Sequence, residues 1–443
     1  MNQIPANLFL RSGSPCKDRE STAEDGLDGP GAVIETMDNC TKCGACQTYC
    51  PVASVTAQFH GPKYCGPQSQ RFRIIENIKE SAPSLCSGCG VCTSVCPNGV
   101  AITDLITIAK ADMVGGDRFL PFTQRLLNRP DLFGKIAAVA PGFANFILHN
   151  KPLRRLAHRL FGLHKDAPLP RFHGATFRRW LAQQQQPNGP LVVYFSGCSV
   201  EHYDPTVGIA AVGLLNRLGL RVDVPDTACC ALPMLSSGEW EAAEKRAKGV
   251  TGELAAALPP ETAVVSTSTS CSLTLRQKYQ RYLSLNDQAA RAVADAVQDI
   301  CEFIRKNHWE SLRGKLGPIN KRVFYHGPCQ LHQHGIGLPA LELLRQIPGL
   351  EVVVSQSNCC GIAGTYGYDR KKHGISMAIG LSLFEQIASS EPDMVVCDSE
   401  TCRWHIEQAT GVNCQHPVEI LAASIEKSTP GPYVNLASQG VPS

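Results

Sequence analysis

No run of eighteen apolar residues occurs in the 443-residue sequence. The longest approach to one, residues 136–148, is short and is interrupted by Pro141. A helix that crosses a bilayer needs about 20 apolar residues, so the sequence argues against a membrane-spanning helix. The opening residues also lack the charged-then-apolar pattern of a secretory signal peptide, and we therefore expect the chain to remain on the cytoplasmic side.

Glycine motifs that bind nucleotides are missing as well. No G-x-G-x-x-G opens a helix after a predicted strand, and no P-loop occurs, so we expect no flavin or nucleotide site within this chain. The net charge is only +3, which does not indicate nucleic acid as a partner. Hydrophobic residues make up 43% and charged residues 18%, a balance typical of globular proteins, and the length predicts two to four domains.

Cysteine, in contrast, is present in excess, with 21 copies. An odd count and tight C-x-x-C runs fit a disulfide framework poorly. In a reducing compartment, cysteines in such runs serve as metal ligands or redox thiols. We therefore interpret the chain as a metal-bearing protein.

Two cysteine runs of identical spacing lie 46 residues apart, CTKCGACQTYCP at 40–51 and CSGCGVCTSVCP at 86–97. The pattern is that of bacterial ferredoxins, in which three cysteines hold one [4Fe–4S] cluster and the fourth holds the other cluster. The sequence thus predicts one cluster on Cys40, Cys43, Cys46 and Cys96, and another on Cys86, Cys89, Cys92 and Cys50. Structural zinc is the alternative, but zinc sites use two cysteine pairs and not four cysteines within eleven residues.

A second, longer repeat occupies the C-terminal half. Three landmarks recur at offsets of 131, 130 and 131 residues: LVVYFSGC at 191–198 with RVFYHGPC at 322–329, Cys229–Cys230 with Cys359–Cys360, and VVSTSTSC at 264–271 with VVCDSETC at 395–402. Between them, strand-like runs alternate with helix-like runs, which predicts βαβ units and a parallel sheet in each copy. The cysteines fall after the strands, at the edge where such sheets place ligands.

We therefore expect an α+β multidomain protein, with a helical two-cluster ferredoxin domain followed by a duplicated α/β module. The predicted units are an N-terminal tail, the ferredoxin-type domain, a connector, two modules and a C-terminal tail. Their predicted bounds are 1–30, 31–110, 111–188, 189–318, 319–427 and 428–443.

The connector is basic. Residues 110–185 hold thirteen Lys or Arg against four Asp, and KPLRRLAHRLFG at 151–162 places Leu153, Leu156, Leu160 and Phe161 on one helical face with arginines opposite. Such an amphipathic helix can bind an anionic membrane interface, pack as a surface helix on neighbouring domains, or dock an acidic partner. Prolines predict that the segment breaks into short helices.

Four further motifs follow one another along the chain: GPKYCGP at 61–67, STSTSC at 266–271, NCCGIAGTYG at 358–367 and SETCRWHIE at 399–407. With the ferredoxin runs they resemble the family of iron–sulfur subunits of bacterial anaerobic glycerol-3-phosphate dehydrogenases. That family belongs to the wider group that carries the CCG modules of heterodisulfide reductase and its relatives. The resemblance extends from about residue 37 to about residue 423.

This resemblance implies an electron-transfer subunit with no catalytic residues of its own. In that family a flavoprotein pair oxidises sn-glycerol 3-phosphate to dihydroxyacetone phosphate. The iron–sulfur subunit passes the electrons to the quinone pool and helps to hold the complex peripherally on the cytoplasmic face of the bacterial inner membrane. The implied partners are flavoprotein dehydrogenase subunits and a quinone. The same layout also fits the iron–sulfur subunit of a lactate or glycolate oxidase, or a thiol–disulfide enzyme like heterodisulfide reductase.

Both modules depart from the full CCG pattern at one position. Ser268 and Ser399 stand where the first cysteine of a C-x-x-C pair is expected, and Ala231 replaces the glycine after the first doublet. Four thiols remain per copy, enough for an Fe–S cluster or zinc. The candidate set is Cys329, Cys359, Cys360 and Cys402, and the weaker one is Cys198, Cys229, Cys230 and Cys271. The alternative is an α/β scaffold with buried or redox-active thiols.

The remaining thiols and histidines receive simpler interpretations. We expect plain thiols at Cys16, Cys65, Cys301 and Cys414. We expect Cys397 to lie beside the ligand position without replacing the missing cysteine. For His326, His332 and His334 we expect a surface or capping role, with a metal or quinone contact as the alternative.

Overall fold

A computed structural model describes residues 27–76, 81–115, 120–173 and 176–428. Short helices that carry the ferredoxin-like runs come first, then the connector helices, and finally two parallel sheets with their flanking helices. This confirms the expected fold class. The limits between the expected units remain predictions, and Cys16 and most of both expected tails lie outside the described residues.

The N-terminal part is built from short helices around the two cysteine runs. They are α1 (Pro30–Glu35), α2 (Ala45–Thr48), α3 (Ser69–Glu76), α4 (Val91–Ser94) and α5 (Ile102–Gly115), with 3₁₀ turns at Thr36–Asn39 and Ala82–Leu85 and a π turn at Tyr64–Gln68. Gly44 and Gly90 precede α2 and α4 with φ of 87° and 78°. Glycine adopts this conformation without a Cβ penalty, so each run can fold back between its second and third cysteines.

Prolines divide the connector into short helices, as the sequence predicts. The helices are α6 (Phe122–Leu127), α7 (Pro130–Ala137), α8 (Pro141–His149), α9 (Lys151–Phe161) and α10 (Phe177–Leu181). Pro130 and Pro141 each lie in the first turn of their helix, where the missing N–H has no intrahelical acceptor to lose. Asn150 caps α9 by accepting the N–H of Leu153 at 3.2 Å.

Ion pairs and apolar contacts join the connector to the rest of the chain. Arg129 pairs with Glu239 at 2.6 Å, and Asp131 pairs with Arg246. The leucine face of α9, in contrast, is open to solvent, with Leu156 51% and Leu160 66% exposed. The helix itself still contacts the second module, where Arg370 donates to the carbonyl of His158 at 3.2 Å, so its role as a packed surface helix stays a prediction.

Two four-stranded parallel sheets follow, in the orders β2-β1-β3-β4 and β6-β5-β7-β8. The strands are β1 (Leu191–Tyr194), β2 (Arg221–Asp223), β3 (Val264–Ser266), β4 (Val297–Asp299), β5 (Lys321–His326), β6 (Leu350–Val354), β7 (Met394–Cys397) and β8 (Cys414–Gln415). Val193 pairs with Val264, and Phe324 pairs with Val395. Both residues of the second pair lie 131 positions after those of the first pair. The two modules therefore share the same strand register.

The helices of the modules alternate with the strands. In the first module they are α11 (Gly197–His202), α12 (Pro205–Arg217), α13 (Leu232–Ser237), α14 (Trp240–Ala256), α15 (Thr269–Leu273), α16 (Tyr279–Leu283), α17 (Gln288–Ala296), α18 (Ile300–Asn307) and α19 (Trp309–Arg313), with a π turn at Thr274–Lys278. In the second they are α20 (Cys329–His334), α21 (Pro339–Leu344), α22 (His373–Ser390), α23 (Glu400–Thr410) and α24 (Pro417–Ser428), with a 3₁₀ turn at Tyr366–Tyr368.

The two modules pack into one body. Tyr194 and Leu215 of the first module share an apolar core with Tyr325 and Leu344 of the second. At the shared boundary Thr269 donates to the carbonyl of Asp398 at 2.8 Å. Burial of apolar area is the dominant stabilising term in such an interface, and the polar contacts fix how the two modules are oriented.

Candidate iron–sulfur site

The structure brings the first predicted cysteine set together. Cys46 lies in α2, and its neighbouring thiols are Cys96, Cys40 and Cys43. Burial, and then these three thiols, raise the pKa of Cys46 to about 11. Cys43 is exposed, so this set reaches the protein surface. The donor chemistry, four thiols from both runs, fits a [4Fe–4S] cluster.

The second predicted set is buried beside the first. Cys92 has Cys89, Cys86 and Cys50 around it, and burial raises its pKa well above the ordinary value. Backbone N–H groups point at the sulfurs, with Gly88 donating to Cys86 and Ala53 donating to Cys50, each at 3.4 Å. Hydrogen bonds to the sulfurs are one of the features that set the reduction potential of a bound cluster.

The second set continues into the second module. Cys329, at the start of α20, is the thiol that acts most strongly on the pKa of Cys89, and Cys359 lies beside both. Polar contacts hold the two parts in place, since the Gln333 amide donates to the carbonyl of Gly88 at 3.2 Å. A row of thiols therefore leads from the dicluster part into the module.

The module thiols form matching pairs. In the second module the sulfurs of Cys360 and Cys402 lie 2.9 Å apart. In the first module the sulfurs of Cys230 and Cys271 lie 3.3 Å apart, and those of Cys198 and Cys229 lie 3.7 Å apart. Among the described residues, no three Cys, His, Asp or Glu side chains are arranged to hold a single metal ion.

Cys397 is a neighbour of these paired thiols but is not one of the candidate ligands. It is fully buried, and its thiol hydrogen-bonds to Cys402. Hydrogen bonds from Cys360 and then Cys397 hold the pKa of Cys402 well below its usual value. The four candidate ligands of the second module line the central cavity described below, and Cys397 is not among its lining residues.

The two serines at the missing cysteine positions have different contacts. The Ser399 hydroxyl hydrogen-bonds to Cys402. The Ser268 hydroxyl donates to the Glu400 carboxylate of the other module at 3.1 Å. Ser268 is thus engaged in the contact between the modules.

A cavity of about 460 Å³ lies where the modules meet the connector. Its wall contains the module thiols, namely Cys198, Cys229, Cys230, Cys271, Cys329, Cys359, Cys360 and Cys402. Apolar connector side chains, among them Leu126 and Phe133, form the opposite wall. Sequence reasoning missed this cavity and its Lys278, because nothing in the local pattern reveals that three distant segments enclose one space.

The expected surface role of two histidines is wrong. His326 and His334 are buried, and burial lowers the pKa of each to about 4. His334 hydrogen-bonds to the Ser272 hydroxyl at 2.9 Å, and His326 to the Ser355 hydroxyl at 3.2 Å. Both are neutral packing residues between elements, and the reason is tertiary: α20 and β5 lie inside the assembled modules.

Known families match the chain in the same order as these sites. Residues 36–100 match the 4Fe-4S dicluster domain, and residues 192–276 and 323–407 each match the cysteine-rich domain called CCG. Among the subunits of the anaerobic glycerol-3-phosphate dehydrogenase of Escherichia coli (strain K12), the one designated C is 35% identical to this chain, over 88% of this chain and 99% of that protein. The chain belongs to this family of dehydrogenase subunits.

Two other relatives carry names that indicate different substrates. The glycolate oxidase iron-sulfur subunit of Escherichia coli (strain K12) is 24% identical over 88% of this chain and 94% of its own length. Lactate utilization protein A of Macrococcus caseolyticus is 31% identical over 54% of this chain and 98% of its own length. The chain is therefore an iron–sulfur protein with [4Fe–4S] clusters, homologous to the iron–sulfur subunit of a dehydrogenase complex.

The glycine after the second doublet occupies a place without room for a side chain. Gly361 has φ of 93°, and a Cβ there would lie 2.1 Å from the carbonyl oxygen of Ser376. Ala231, at the equivalent position of the first module, also has a positive φ, 60°. A residue with a Cβ pays roughly 1–2 kcal/mol for this conformation.

We expect Gly361→Ala to lower the free energy of unfolding by at least about 2 kcal/mol, because a clash with the backbone adds to the left-handed penalty. Ala231→Gly is the matched control, and the relieved penalty should leave it as stable as the unaltered protein or up to about 1 kcal/mol more stable. Urea denaturation under anaerobic conditions compares the three. Equal midpoints for Gly361→Ala and the unaltered chain would contradict the expectation.

Proposed function

We propose that this chain is the electron-transfer iron–sulfur subunit of a dehydrogenase complex that oxidises sn-glycerol 3-phosphate, and that it delivers the electrons to a membrane quinone. The observation that carries the proposal is the row of thiols from the surface to the interior. It begins at the exposed Cys43, continues through Cys50, which neighbours both Cys46 and Cys86, and reaches the cavity at Cys329.

We assign one cluster to Cys40, Cys43, Cys46 and Cys96 and the other to Cys86, Cys89, Cys92 and Cys50. Each set takes its fourth thiol from the other run, which keeps the clusters adjacent and suits one-electron steps between them. Since thiolates are the ligands and burial favours the thiols of Cys46 and Cys50, cluster binding releases protons. The clusters supply the one-electron chemistry, and the chain's own residues hold, insulate and align them.

Electrons enter at the exposed first set. We propose that a flavoprotein partner docks there and carries out the substrate oxidation, and we assign no catalytic residue to this chain. A substrate test follows from this division of labour. When the complex is purified anaerobically, sn-glycerol 3-phosphate should bleach the cluster absorbance, while lactate and glycolate should not. If only lactate or only glycolate bleached the absorbance, the chain would instead be assigned to a lactate or glycolate oxidase.

We propose peripheral attachment to the cytoplasmic face of the bacterial inner membrane through α7, α8 and α9. Val139 is 87% exposed, Phe143 67% and Phe146 62%. Contiguous exposed apolar side chains of this kind mark an interaction surface, and the arginines of the same segment suit anionic lipid. Across the described ranges, no single helix is long and apolar enough to cross a bilayer. Within these ranges, only α7 and α8 taken together have that length and hydropathy, and a bend of 118° separates them.

We propose a further iron–sulfur site on Cys329, Cys359, Cys360 and Cys402. The support is that these thiols line one wall of the cavity and lie beside the second set. The first module, with Cys198, Cys229, Cys230 and Cys271, is the weaker candidate. Zinc is the weaker occupant of either site, since no three such side chains among the described residues are arranged to hold a single metal ion.

Cys402→Ser should lower the iron content by up to about four atoms per chain, because a hydroxyl is a poor iron ligand. Cys397→Ser, its buried neighbour, should keep all of its iron. The measurement is the iron content of each variant after anaerobic purification. Loss of iron in the Cys397→Ser chain, or full retention in the Cys402→Ser chain, contradicts the assignment.

A thiol–disulfide enzyme is the second candidate function, because thiols from both modules line one cavity. Such an enzyme would reduce a disulfide to two thiols in the absence of quinone, with two electrons from the reduced iron–sulfur centres and two protons from water. We expect no such turnover from the reduced chain. Measured turnover with a mixed disulfide would favour this second candidate.

A further inference from the structure

The cavity between the modules has two chemically different walls. One wall carries thiols of both modules, and the other is apolar and belongs to the connector. Two of its lining residues, Phe122 and Phe161, are 71% and 55% exposed, so they mark its mouth. Thr123 Oγ1 donates to the carbonyl of Phe161, which ties the two sides of this mouth together.

The mouth opens within the exposed apolar surface of the connector. Phe161 ends α9, whose Leu156 and Leu160 are exposed, and Val139 and Phe143 are exposed at the junction of α7 and α8. A molecule dissolved in the apolar layer against this surface could therefore enter the cavity without crossing water. The volume of about 460 Å³ falls within the range of roughly 300–1,000 Å³ typical of small-molecule sites.

The wall is mostly apolar, and its two cations are already hydrogen-bonded within the protein, whereas the buried hydroxyls of Ser87 and Ser199 have no partner and can donate to a ligand. Lys278 Nζ donates to the Gln330 side-chain oxygen at 2.8 Å, and Lys110 Nζ donates to the carbonyl of Cys86 at 2.8 Å. A polyanionic metabolite would find an apolar wall opposite these cations. A neutral ring with carbonyl oxygens suits the site better, since an ammonium and an amide can donate to carbonyls.

The electron source lies at the same wall. Cys329 and Cys359 line the cavity and are neighbours of Cys89 of the second cysteine set. An occupant of the cavity thus lies against the inner end of the row of thiols. The surface end of that row, at Cys43, is separate from the mouth, and Cys43 does not line the cavity.

We propose that this cavity is the binding site for a lipid-soluble quinone, which enters between Phe122 and Phe161 and presents its ring to Lys278 and Gln330. The quinone lies beside the cluster proposed on Cys329, Cys359, Cys360 and Cys402, which line the same cavity. This proposal rests on the proposed function and locates its last step, electron transfer to the quinone, in the cavity. The quinone accepts two electrons, one at a time, from the reduced iron–sulfur centres of this chain. It takes two protons from water, so both carbonyl oxygens become hydroxyls and the ring becomes aromatic. The reduced centres are oxidised in return.

Photolabelling tests the location without relying on activity. The probe is a short-tailed azidoquinone, illuminated with the full-length, cluster-containing protein under anaerobic conditions. Labels should fall on peptides that contain Leu126, Phe133 or Trp404, all of which line the cavity, and excess short-tailed quinone should suppress them. Suppressible labelling confined to other peptides overturns the proposal, and this arm needs no variant.

A pair of variants supplies the functional arm. Leu126→Trp narrows the cavity, whereas Leu132→Trp is the matched control on α7, where the leucine is 46% exposed and not among the lining residues. After reduction with dithionite, reoxidation of the clusters by the short-tailed quinone should be at least tenfold slower in Leu126→Trp and unchanged in Leu132→Trp. The iron content should be equal in both.

The outcomes distinguish failure of the cavity proposal from failure of quinone delivery. If the unaltered clusters are reoxidised by quinone and Leu126→Trp is equally fast, the cavity is not the site, while quinone delivery stands. If the unaltered clusters are not reoxidised by quinone at all, delivery to quinone fails and this proposal fails with it.

Discussion

We expect a Cys50→Ala chain to lose the second proposed cluster, to keep the first, and to transfer electrons to quinone only at the background rate. Cys50 is the last cysteine of the first run, yet the thiols that act on its pKa include Cys86 of the second run. Alanine offers no ligand, so about four iron atoms per chain should be lost. The remaining set, Cys40, Cys43, Cys46 and Cys96, should still give the signal of one cluster by electron paramagnetic resonance.

Cys65→Ala provides the matched control. Cys65 is also buried in the N-terminal part, at 0% exposure against 7% for Cys50, so the two changes remove similar volumes from similar surroundings. Iron content and quinone reduction should match those of the unaltered chain. If Cys50→Ala abolished the signal of the first cluster and spared the second, the cross-assignment of the fourth cysteines would be wrong.

A chain with Val139→Glu, Phe143→Glu and Phe146→Glu should lose membrane binding by at least about 100-fold. Each fully buried side chain of this size contributes roughly 1.5–3 kcal/mol, and about 1.4 kcal/mol corresponds to a factor of ten. Three introduced carboxylates also repel anionic lipid. The measurement is flotation with vesicles that contain anionic lipid, at low and high salt.

Ile74→Glu with Ile75→Glu is the control for added charge. These residues lie on α3 and are 56% and 77% exposed, so they match the connector residues in exposure but belong to the N-terminal part. The control chain should float like the unaltered protein. If the unaltered protein fails to float at any salt concentration, the connector surface serves a protein partner instead of lipid.

The predicted cluster ligands depend mostly on local spacing. The ferredoxin runs are short, and their geometry follows from C-x-x-C spacing and from Gly44 and Gly90, so the chain around them needs little tertiary context. The repeat predicts the sheets for a similar reason. Val193 and Phe324 occupy equivalent places in apolar runs, and equivalent runs form equivalent strands.

The parts that escape prediction depend on contacts between distant segments. The burial of His326 and His334 follows from how the modules assemble, and the bond from Ser268 to Glu400 joins residues 132 positions apart. The cavity is enclosed by the connector and both modules, so no single window of sequence contains its signature.

Directed electron flow from substrate through this chain to quinone can be followed in two frozen samples. The anaerobic complex is mixed with sn-glycerol 3-phosphate, frozen and examined by electron paramagnetic resonance, and a second sample receives a short-tailed quinone before freezing. We predict signals of reduced [4Fe–4S] clusters in the first sample and their loss in the second. Clusters that stay oxidised with sn-glycerol 3-phosphate, or stay reduced in the presence of quinone, would show that electrons do not take this route.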